Sequence, residues 1–195
     1  MRRAAAVVSW LALAAWPALA FAHDAGHDQR LPVIGRAADF ALDAAGGERV
    51  TLRELRGKVV AVAFIYTTCP DICPLLTDKM AAVKDALGRD FGTEVAFVSI
   101  TVDPEHDTPA VLRDYAQAFG ADVPGWWFVT GTPAEIRAVA RGYGVVVISG
   151  ADGSIDHTLL TTLVDRQGRM RVQYLGARFD PDELRRDLVG LAREP

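Results

Sequence analysis

The stretch KVVAVAFIYTTCPDICPLLTDKM, residues 58–80, decides the predicted fold of this chain. Its first part, residues 58–66, is a nearly continuous apolar run, which is typical of a strand buried on both faces in a parallel sheet. After the two cysteines, apolar residues recur at helical spacing from Leu76 to Leu87, and Gly88 ends the predicted helix. The cysteine motif therefore lies at the carboxyl end of a buried strand, where ligand chemistry concentrates in open α/β sheets.

Strand, helix and hairpin signals continue on both sides of this stretch. They are a hairpin over residues 39–52 around a Gly-Gly turn, a buried strand over 94–102, a helix over 107–120 capped by Asp107 or Thr108, a strand over 125–131, a helix over 133–144 capped by Thr132, hairpins over 145–157 and 159–176, and a closing helix over 180–193. This order predicts a three-layer α/β domain, in which a central, mostly parallel sheet is flanked by helices and extended by β-hairpins.

Residues 1–22 have the pattern of a secretory signal peptide. Two arginines precede an apolar run over residues 4–16, and Pro17 and several small residues follow it. Cleavage is expected after Ala20 or after Ala22, because both sites are preceded by small residues in the A-x-A arrangement. The signal peptide predicts that the folded part of the chain lies outside the cytoplasm.

An uncleaved membrane anchor is the alternative for this segment. The apolar residues 4–22 number about 19, which is just enough to span a bilayer. Residues 23–36 are predicted to be a flexible leader, and residues 37–195 are predicted to form the folded domain. Both alternatives place that domain in the same compartment.

Composition and charge exclude several classes of function. The chain has 21 basic and 25 acidic residues and a net charge of −4, and loss of the two arginines in the signal peptide leaves −6. This balance excludes the basic surface of a nucleic-acid-binding protein. Two cysteines are also too few for a disulfide-dependent scaffold, and a domain of this length does not need one. The cysteine pair is therefore expected to have a role beyond stability.

The two cysteines, Cys69 and Cys73, lie where sulfur is expected to be reactive. Pro70 and Pro74 each suit the first turn of a helix, and the positive end of a helix favours thiolate over thiol. Three residues separate the cysteines, whereas thioredoxin-type couples use two. At a spacing of four, both sulfurs can reach one ion, and a disulfide needs only a modest closure. A structural disulfide, a redox couple and a metal site all remain open.

The chain has four histidines, one of which is a candidate third metal ligand. His23 and His27 lie in the leader, and His106 lies in the polar stretch DPEHDTP, where we expect it to be solvated. His157 differs from these because it precedes the apolar strand LLTTLV. A single histidine in such a place is more often structural than a ligand, so composition and spacing do not decide its role.

Several stretches together resemble the Sco/SenC family of copper-handling proteins. The resemblance runs from about residue 30 to the carboxyl end, and the C-P-x-x-C-P motif with a distant Asp-His pair is specific. The stretches are TTCPDICPLLTDKM (67–80), FVSITVDPEHDTPAVLRDYAQAFG (97–120), GWWFVTGTPAEIRAVARGYGV (125–145) and IDHTLLTTLVDRQGRM (155–170).

The resemblance implies a thioredoxin-like fold in a periplasmic protein that is either tethered or released. It implies copper binding, as Cu(I) or Cu(II), by Cys69, Cys73 and His157, and a Cys69–Cys73 disulfide when the pair is oxidised. Soft thiolates select Cu(I), and imidazole suits both oxidation states. The implied partner is subunit II of cytochrome c oxidase, whose binuclear site receives the copper or has its cysteines reduced. Other periplasmic copper chaperones or thiol reductases are further candidate partners.

The alternative function is a periplasmic thiol–disulfide oxidoreductase of thioredoxin type. Redox cycling needs only Cys69 and Cys73, whereas retention of Cu(II) is expected to require His157 as well. The sequence also departs from the family pattern at Thr68 and at Leu75, and Leu75 makes the surface beside the motif more apolar. We therefore predict a metallochaperone rather than an enzyme, with the oxidoreductase as the competing interpretation.

The leader itself has one candidate metal site. Cleavage after Ala20 would place His23 third in the mature chain, where the amine, two backbone amides and the imidazole suit square-planar Cu(II). The alternative is a solvated tail that binds nothing, which is common for polar chain ends.

Overall fold

The computed structural model of the chain describes residues 31–150 and 154–195. The elements in these residues follow the predicted order, with one short strand added near the start. The strands are β1 (Gly35–Arg36), β2 (Ala41–Ala44), β3 (Arg49–Thr51), β4 (Val59–Ile65), β5 (Val95–Thr101), β6 (Trp126–Thr130), β7 (Val147–Ser149), β8 (Ile155–His157), β9 (Leu160–Val164) and β10 (Arg169–Leu175). The helices are α1 (Ile72–Leu87), α2 (Pro109–Ala118), α3 (Pro133–Gly142) and α4 (Pro181–Arg193).

The described residues form one large sheet, of eight strands in the order β1-β10-β9-β4-β5-β6-β2-β3. Its three central neighbours β4, β5 and β6 are parallel, and Val59 of β4 pairs with Val95 of β5. All residues of β4 and β5 are buried, because helices cover both faces of this part of the sheet. The predicted central strands are therefore confirmed.

The outer strands of the sheet are antiparallel and form the predicted hairpins. On one side β9 pairs with β4 and β10 pairs with β9, and on the other side β2 joins β6 and carries β3 at the edge. The sheet is thus mixed, with a parallel centre and antiparallel flanks. Hairpin strands need only tight turns, whereas the parallel strands are joined through helices that cross the sheet.

Helices cover both faces of the sheet. Helix α1 buries Leu76, Met80, Val83 and Leu87, the four residues whose spacing predicted the helix, in a core that it shares with α2 and α4. Helix α3 packs against the opposite face, where its Ile136 contributes to a second core. Complete burial of one such side chain contributes about 2 kcal/mol.

Capping residues place the starts of α2 and α3. The Thr108 hydroxyl accepts a hydrogen bond from Val111 N–H, and Pro109 occupies the first turn of α2. The Thr132 hydroxyl accepts from Glu135 N–H, and the Glu135 carboxylate accepts from Thr132 N–H in return. Thr108, rather than Asp107, is therefore the cap of α2, which leaves Asp107 available for another role.

Strands β7 and β8 form a separate two-stranded sheet, as the hairpin prediction for residues 145–157 requires. Val147 pairs with His157, so the candidate histidine lies at the open end of this hairpin. The predicted turn at Asp152 and Gly153 lies outside the described residues.

The segment before Ala37 already belongs to the folded unit from Leu31 onwards. Strand β1 pairs with β10, and the Arg171 guanidinium donates a hydrogen bond of 2.9 Å from Nε to the Leu31 carbonyl. The predicted signal peptide, anchor and leader up to residue 30 lie outside the described residues. Within the described ranges, no helix has the length and apolar character needed to cross a membrane.

Candidate metal centre

Cys69 and Cys73 lie together at the carboxyl end of β4, where the chain turns into α1. The turn is closed by a hydrogen bond of 3.3 Å from Cys69 N–H to the Tyr66 carbonyl, and α1 begins at Ile72. Cys73 N–H donates to the Cys69 sulfur at 3.3 Å, so this sulfur occupies the position of a helix-cap acceptor. Both cysteines are buried, with relative exposures of 6% and 0%, and both are free thiols.

The environment of Cys69 favours its thiolate. Burial alone would raise the pKa of Cys69, but hydrogen bonds from the Cys73 thiol and from backbone N–H groups of Cys73 and Asp71 lower that pKa below its ordinary value. The Tyr66 hydroxyl adds a smaller contribution in the same direction. Hydrogen bonds to the charged form of an acid stabilise that form. Cys69 is thus the more readily ionised sulfur.

Cys73 has the opposite character. Burial and its hydrogen bond to Cys69 raise the pKa of Cys73 to about 12, and the negative charge of Asp107 acts in the same direction. Cys73 therefore keeps its proton to a higher pH than Cys69 does. Such a pair can bind a soft metal ion once the second proton is lost, and it can also exchange disulfides.

His157 packs against Tyr66, and burial favours the neutral form of its ring. Burial lowers the pKa of His157, and its Nδ1 lies 3.2 Å from the Thr158 carbonyl oxygen. Because a carbonyl oxygen only accepts hydrogen bonds, Nδ1 carries the hydrogen and Nε2 keeps a free lone pair. A neutral imidazole with one fixed nitrogen is the form in which histidine binds metals.

Tyr66 lies between the cysteines and the histidine, and sequence reasoning did not single it out. Its ring meets the His157 ring edge-on, with centroids 5.8 Å apart. Its hydroxyl donates to the Ile155 carbonyl of β8 at 3.1 Å, and burial followed by the hydrogen bond to Cys69 raises the pKa of Tyr66 to about 12. Tyr66 thus connects the motif to the hairpin that carries His157.

The three predicted ligands are not drawn together into a finished site. No trio of His, Cys, Asp or Glu side chains in the part of the chain that the structure describes could hold a metal ion as it stands. The structure brings Cys69 and Cys73 together and places the His157 ring against the Tyr66 ring. A three-ligand site including His157 therefore stays a prediction.

Asp107 is a second residue of the region that the sequence did not reveal. It is fully buried, at 0% exposure, although it lies in a stretch of polar residues. Its carboxylate accepts hydrogen bonds from Thr67 N–H at 3.1 Å, from the Thr67 hydroxyl at 2.5 Å and from the Thr101 hydroxyl at 2.5 Å. Asp107 therefore reaches the turn that carries Cys69.

The other histidines lie away from the cysteine pair or outside the described residues. His106 has a side chain that is 76% exposed, and its Nδ1 lies 3.8 Å from an Asp103 carboxylate oxygen, so it is solvated as expected. His23 and His27 lie outside the described residues. Leu75, the apolar substitution beside the motif, is exposed, as is Ile72 in the same first turn of α1.

Comparison with known proteins places this arrangement in a family. A family model described as SCO1/SenC matches residues 33–193. The protein SCO1 homolog 1, mitochondrial, of Arabidopsis thaliana is 35% identical over 170 residues, which cover 84% of this chain and 50% of that protein. The chain therefore spans half the length of this relative.

Solved structures agree with the sequence match. The crystal structure of Arabidopsis thaliana ScoI with copper bound has a TM-score of 0.70 and 35% identity, and the match covers 80% of this chain and 98% of that one. BsSco, described as a member of the Sco family of cytochrome c oxidase assembly proteins with a disulfide switch, has a TM-score of 0.74 and 25% identity, over 86% of this chain and 100% of that one. These matches confirm the predicted resemblance and the thioredoxin-like fold.

Proposed function

Because the chain belongs to the SCO1/SenC family, we propose that it is a copper-binding protein of cytochrome c oxidase assembly. It acts as a metallochaperone that binds copper through Cys69, Cys73 and His157 and delivers it to the binuclear copper site of oxidase subunit II. Copper in the matched Arabidopsis structure supports the choice of metal, and the description of BsSco as an oxidase assembly protein supports the choice of partner.

One observation carries the proposal: two free thiols lie side by side at the amino end of α1. The Cys69 sulfur accepts a hydrogen bond from Cys73 N–H, and the positive end of the helix stabilises negative charge there. Two adjacent sulfurs of this kind form a soft donor pair, which fits Cu(I) better than a hard cation. The donor set therefore suits copper.

Binding and release follow from the unequal sulfurs. Cys69 offers a thiolate, and Cys73 must give up its proton when both sulfurs bind one ion. His157 offers Nε2, since its Nδ1 is held by the Thr158 carbonyl. Two sulfurs and one imidazole leave copper with few ligands, so that the ligands of an acceptor protein can enter and take the ion over.

Completion of the site requires the β7–β8 hairpin and the motif to approach each other. The Tyr66 hydroxyl currently holds the Ile155 carbonyl, two residues before His157. We expect this contact to change when His157 joins the sulfurs, because the Tyr66 ring lies against the imidazole that must move. In this order of binding, copper first binds the two cysteines, and His157 binds it afterwards.

The location of this function is proposed to be the periplasm. The signal-peptide pattern of residues 1–22 carries this proposal, and cleavage or retention of that segment decides between a released and an anchored protein. Free thiols in an oxidising compartment need a reducing partner, which is consistent with a thiol reductase as an additional partner.

A thiol–disulfide oxidoreductase is the second candidate function. The pKa of Cys69 is lowered and that of Cys73 is raised, which is the asymmetry expected of an attacking and a resolving cysteine. The disulfide switch described for BsSco is in line with such a reaction. The role of His157 separates the two candidates.

The test is copper binding by the reduced protein in competition with a coloured Cu(I) chelator, followed by a Cu(II) titration. Cys69→Ala or Cys73→Ala should abolish tight Cu(I) binding, and His157→Ala should weaken Cu(II) binding far more than it changes the redox potential of the cysteine pair. His106→Ala is the matched control, since this histidine is 76% exposed and its ring lies 3.8 Å from the Asp103 carboxylate. Tight, stoichiometric Cu(I) binding by either cysteine variant would contradict the proposed ligand set.

If His157→Ala lost thiol reductase activity while its copper binding stayed intact, the function would be assigned as an oxidoreductase instead of a metallochaperone. Transfer is tested separately with the soluble copper domain of an oxidase subunit II as acceptor. The copper-loaded wild-type protein should transfer copper to the acceptor site. This transfer should be faster than transfer from a small-molecule chelator that binds copper with equal affinity.

A further inference from the structure

Asp107 makes an unusual set of contacts for a residue in a loop. It is fully buried, and three hydrogen-bond donors converge on its carboxylate: the Thr67 N–H, the Thr67 hydroxyl and the Thr101 hydroxyl. The Thr101 hydroxyl also accepts from Asp103 N–H at 2.9 Å, so its own hydrogen is available for Asp107. A buried carboxylate with several donors is held in one place, because each donor would lose its partner if it moved.

Asp107 contacts the turn that leads into the cysteine motif. Thr67 is the second residue of the turn that begins at Tyr66 and closes at Cys69. Asp107 holds both polar groups of Thr67 that face it, the backbone N–H and the hydroxyl. The Asp107 carboxylate, which lies in the β5–α2 loop, therefore holds this turn in place. Because Cys69 closes the turn, its sulfur is held in place as well.

We propose that Asp107 is a positioning residue for the cysteine pair, which it holds in its binding geometry through Thr67. The two sulfurs are then kept at a distance that suits both a shared metal ion and disulfide closure. Residues that orient metal ligands from behind change metal affinity by about ten- to a hundred-fold when they are replaced. The copper part of this inference rests on the proposed function, whereas the redox part does not.

The first test compares Asp107→Ala with Asp107→Asn. Alanine removes every acceptor, so Cu(I) affinity should fall about ten- to a hundred-fold. Asparagine has the same shape and retains one carbonyl acceptor for Thr67 N–H, while the Thr67 hydroxyl can accept from its amide, so affinity should return to within a few-fold of wild type. If Asp107→Asn bound Cu(I) as weakly as Asp107→Ala, the charge of Asp107 alone would explain its role, and the proposal that it positions the cysteines would be overturned.

The second readout contains no copper. In glutathione buffers the dithiol form of the pair and one oxidised glutathione give the Cys69–Cys73 disulfide and two reduced glutathiones. A loosened turn holds the thiols together less well, so the equilibrium constant for this reaction should fall about tenfold in Asp107→Ala. Values within about twofold of wild type, for both this constant and Cu(I) affinity, would overturn the proposal.

Two further variants keep the test decisive if Asp107→Ala folds poorly. Thr67→Val removes one hydrogen bond to Asp107 and should give a smaller loss in the same direction in both readouts. In the double variant the losses should not add, since both changes break one contact. Additive losses in a folded double variant would show that Asp107 acts by another route and would overturn the proposal.

Asp103→Ala is the matched control for Asp107→Ala. Asp103 is also buried, lies on the same loop and undergoes the same chemical change, but its hydrogen bonds do not involve Thr67. Both readouts should stay within about twofold of wild type, and an equal loss in this variant would assign the effect to the loop as a whole. If wild-type protein bound no Cu(I) at the cysteines, the proposed function would fail, while the glutathione equilibrium would still decide the role of Asp107.

Discussion

At the scale of single residues, the main feature is the chemical difference between Cys69 and Cys73. Cys69 lies in the turn before α1 and Cys73 lies in its first turn, yet Cys69 receives hydrogen bonds that stabilise its thiolate, whereas Cys73 is fully buried. The position of each sulfur relative to the amino end of α1 decides which one accepts and which one donates. The difference can be measured without any metal.

We predict that Cys69 is alkylated before Cys73 at every pH between about 6 and about 10. Because the pKa of Cys69 is below its ordinary value, its reaction should reach half its maximal rate at a lower pH than a free cysteine does, while Cys73, with a pKa of about 12, should stay unreacted. The measurement is iodoacetamide labelling followed by peptide mass spectrometry.

A Cys73→Ser variant provides the control for this prediction. Serine keeps a hydroxyl, which is a stronger hydrogen-bond donor than a thiol, so the pKa of Cys69 should stay below its ordinary value. Preferential labelling of Cys73 in the wild-type protein would contradict the assignment of the two roles.

At the scale of elements, Tyr66 joins the end of β4 to the β7–β8 hairpin. Its hydroxyl is the contact that links the motif with the backbone of β8, and its ring covers one edge of the His157 ring. Among the strands that the structure describes, β7 and β8 pair only with each other and not with the large sheet. The position of the hairpin therefore depends on side-chain contacts of this kind.

We expect Tyr66→Phe to loosen the hairpin without unfolding the domain. The change removes the hydroxyl that donates to the Ile155 carbonyl and that lowers the pKa of Cys69, so amide exchange in β7 and β8 should become several-fold faster, and the pKa of Cys69 should rise. Hydrogen exchange followed by NMR or mass spectrometry measures the first effect, and alkylation measures the second.

Tyr115→Phe is the matched control for the hairpin prediction. The Tyr115 hydroxyl pairs with the Thr77 hydroxyl on α1 at 3.0 Å and does not contact the hairpin. This variant should leave exchange in β7 and β8 unchanged. If both phenylalanine variants changed hairpin exchange equally, a general loss of stability would explain the result instead of Tyr66.

The cap of α3 gives a stability prediction at the same scale. Thr132→Ala removes the hydroxyl that accepts from Glu135 N–H and donates to the Glu135 carboxylate, so the free energy of unfolding should fall by about 1 kcal/mol. Thr108→Ala should cost less, because the corresponding bond in α2 is longer, at 3.4 Å, and has no reciprocal partner. Urea unfolding measures both, and a larger loss at Thr108 would contradict the ranking.

Local signals predicted the elements well, and non-local contacts explain what they left out. The apolar run of β4 and the helical spacing of Leu76 to Leu87 each reflect one burial pattern along the chain, which a sequence displays directly. The contacts of Tyr66 with β8 and of Asp107 with Thr67 join residues that are 89 and 40 positions apart. Nothing in the polar stretch DPEHDTP distinguishes a buried aspartate from an exposed one, because the contacts of Asp107 include the distant Thr67 as well as the nearby Thr101.

At the scale of the whole molecule, Arg171 connects segments from opposite ends of the described chain. Its guanidinium donates to the Leu31 carbonyl, to the Asp165 carboxylate at 3.1 Å and to the Glu194 carboxylate at 2.7 Å. The Arg171 side chain is only 3% exposed, and Asp165 is 2% exposed. Removal of one member of a buried charged network leaves the others unpaired in an apolar environment.

We predict that Arg171→Ala lowers the free energy of unfolding by about 3 kcal/mol. Arg169→Ala is the comparison, because Arg169 pairs with the same Asp165 carboxylate from a side chain that is 40% exposed, and its loss should cost about 1 kcal/mol or less. Chemical denaturation of each variant measures both losses of unfolding free energy. Equal losses would show that burial does not determine the contribution of this network.

The contacts of Arg171 indicate that the folded unit can be circularly permuted. One guanidinium touches both Leu31 and Glu194, so the points where the chain enters and leaves the folded unit lie side by side. A short glycine-rich linker could join them, and the chain could be reopened at the exposed Gly46–Gly47 turn between β2 and β3. Such a circular permutant would keep every strand pairing while moving both free ends to the edge of the sheet beside β3.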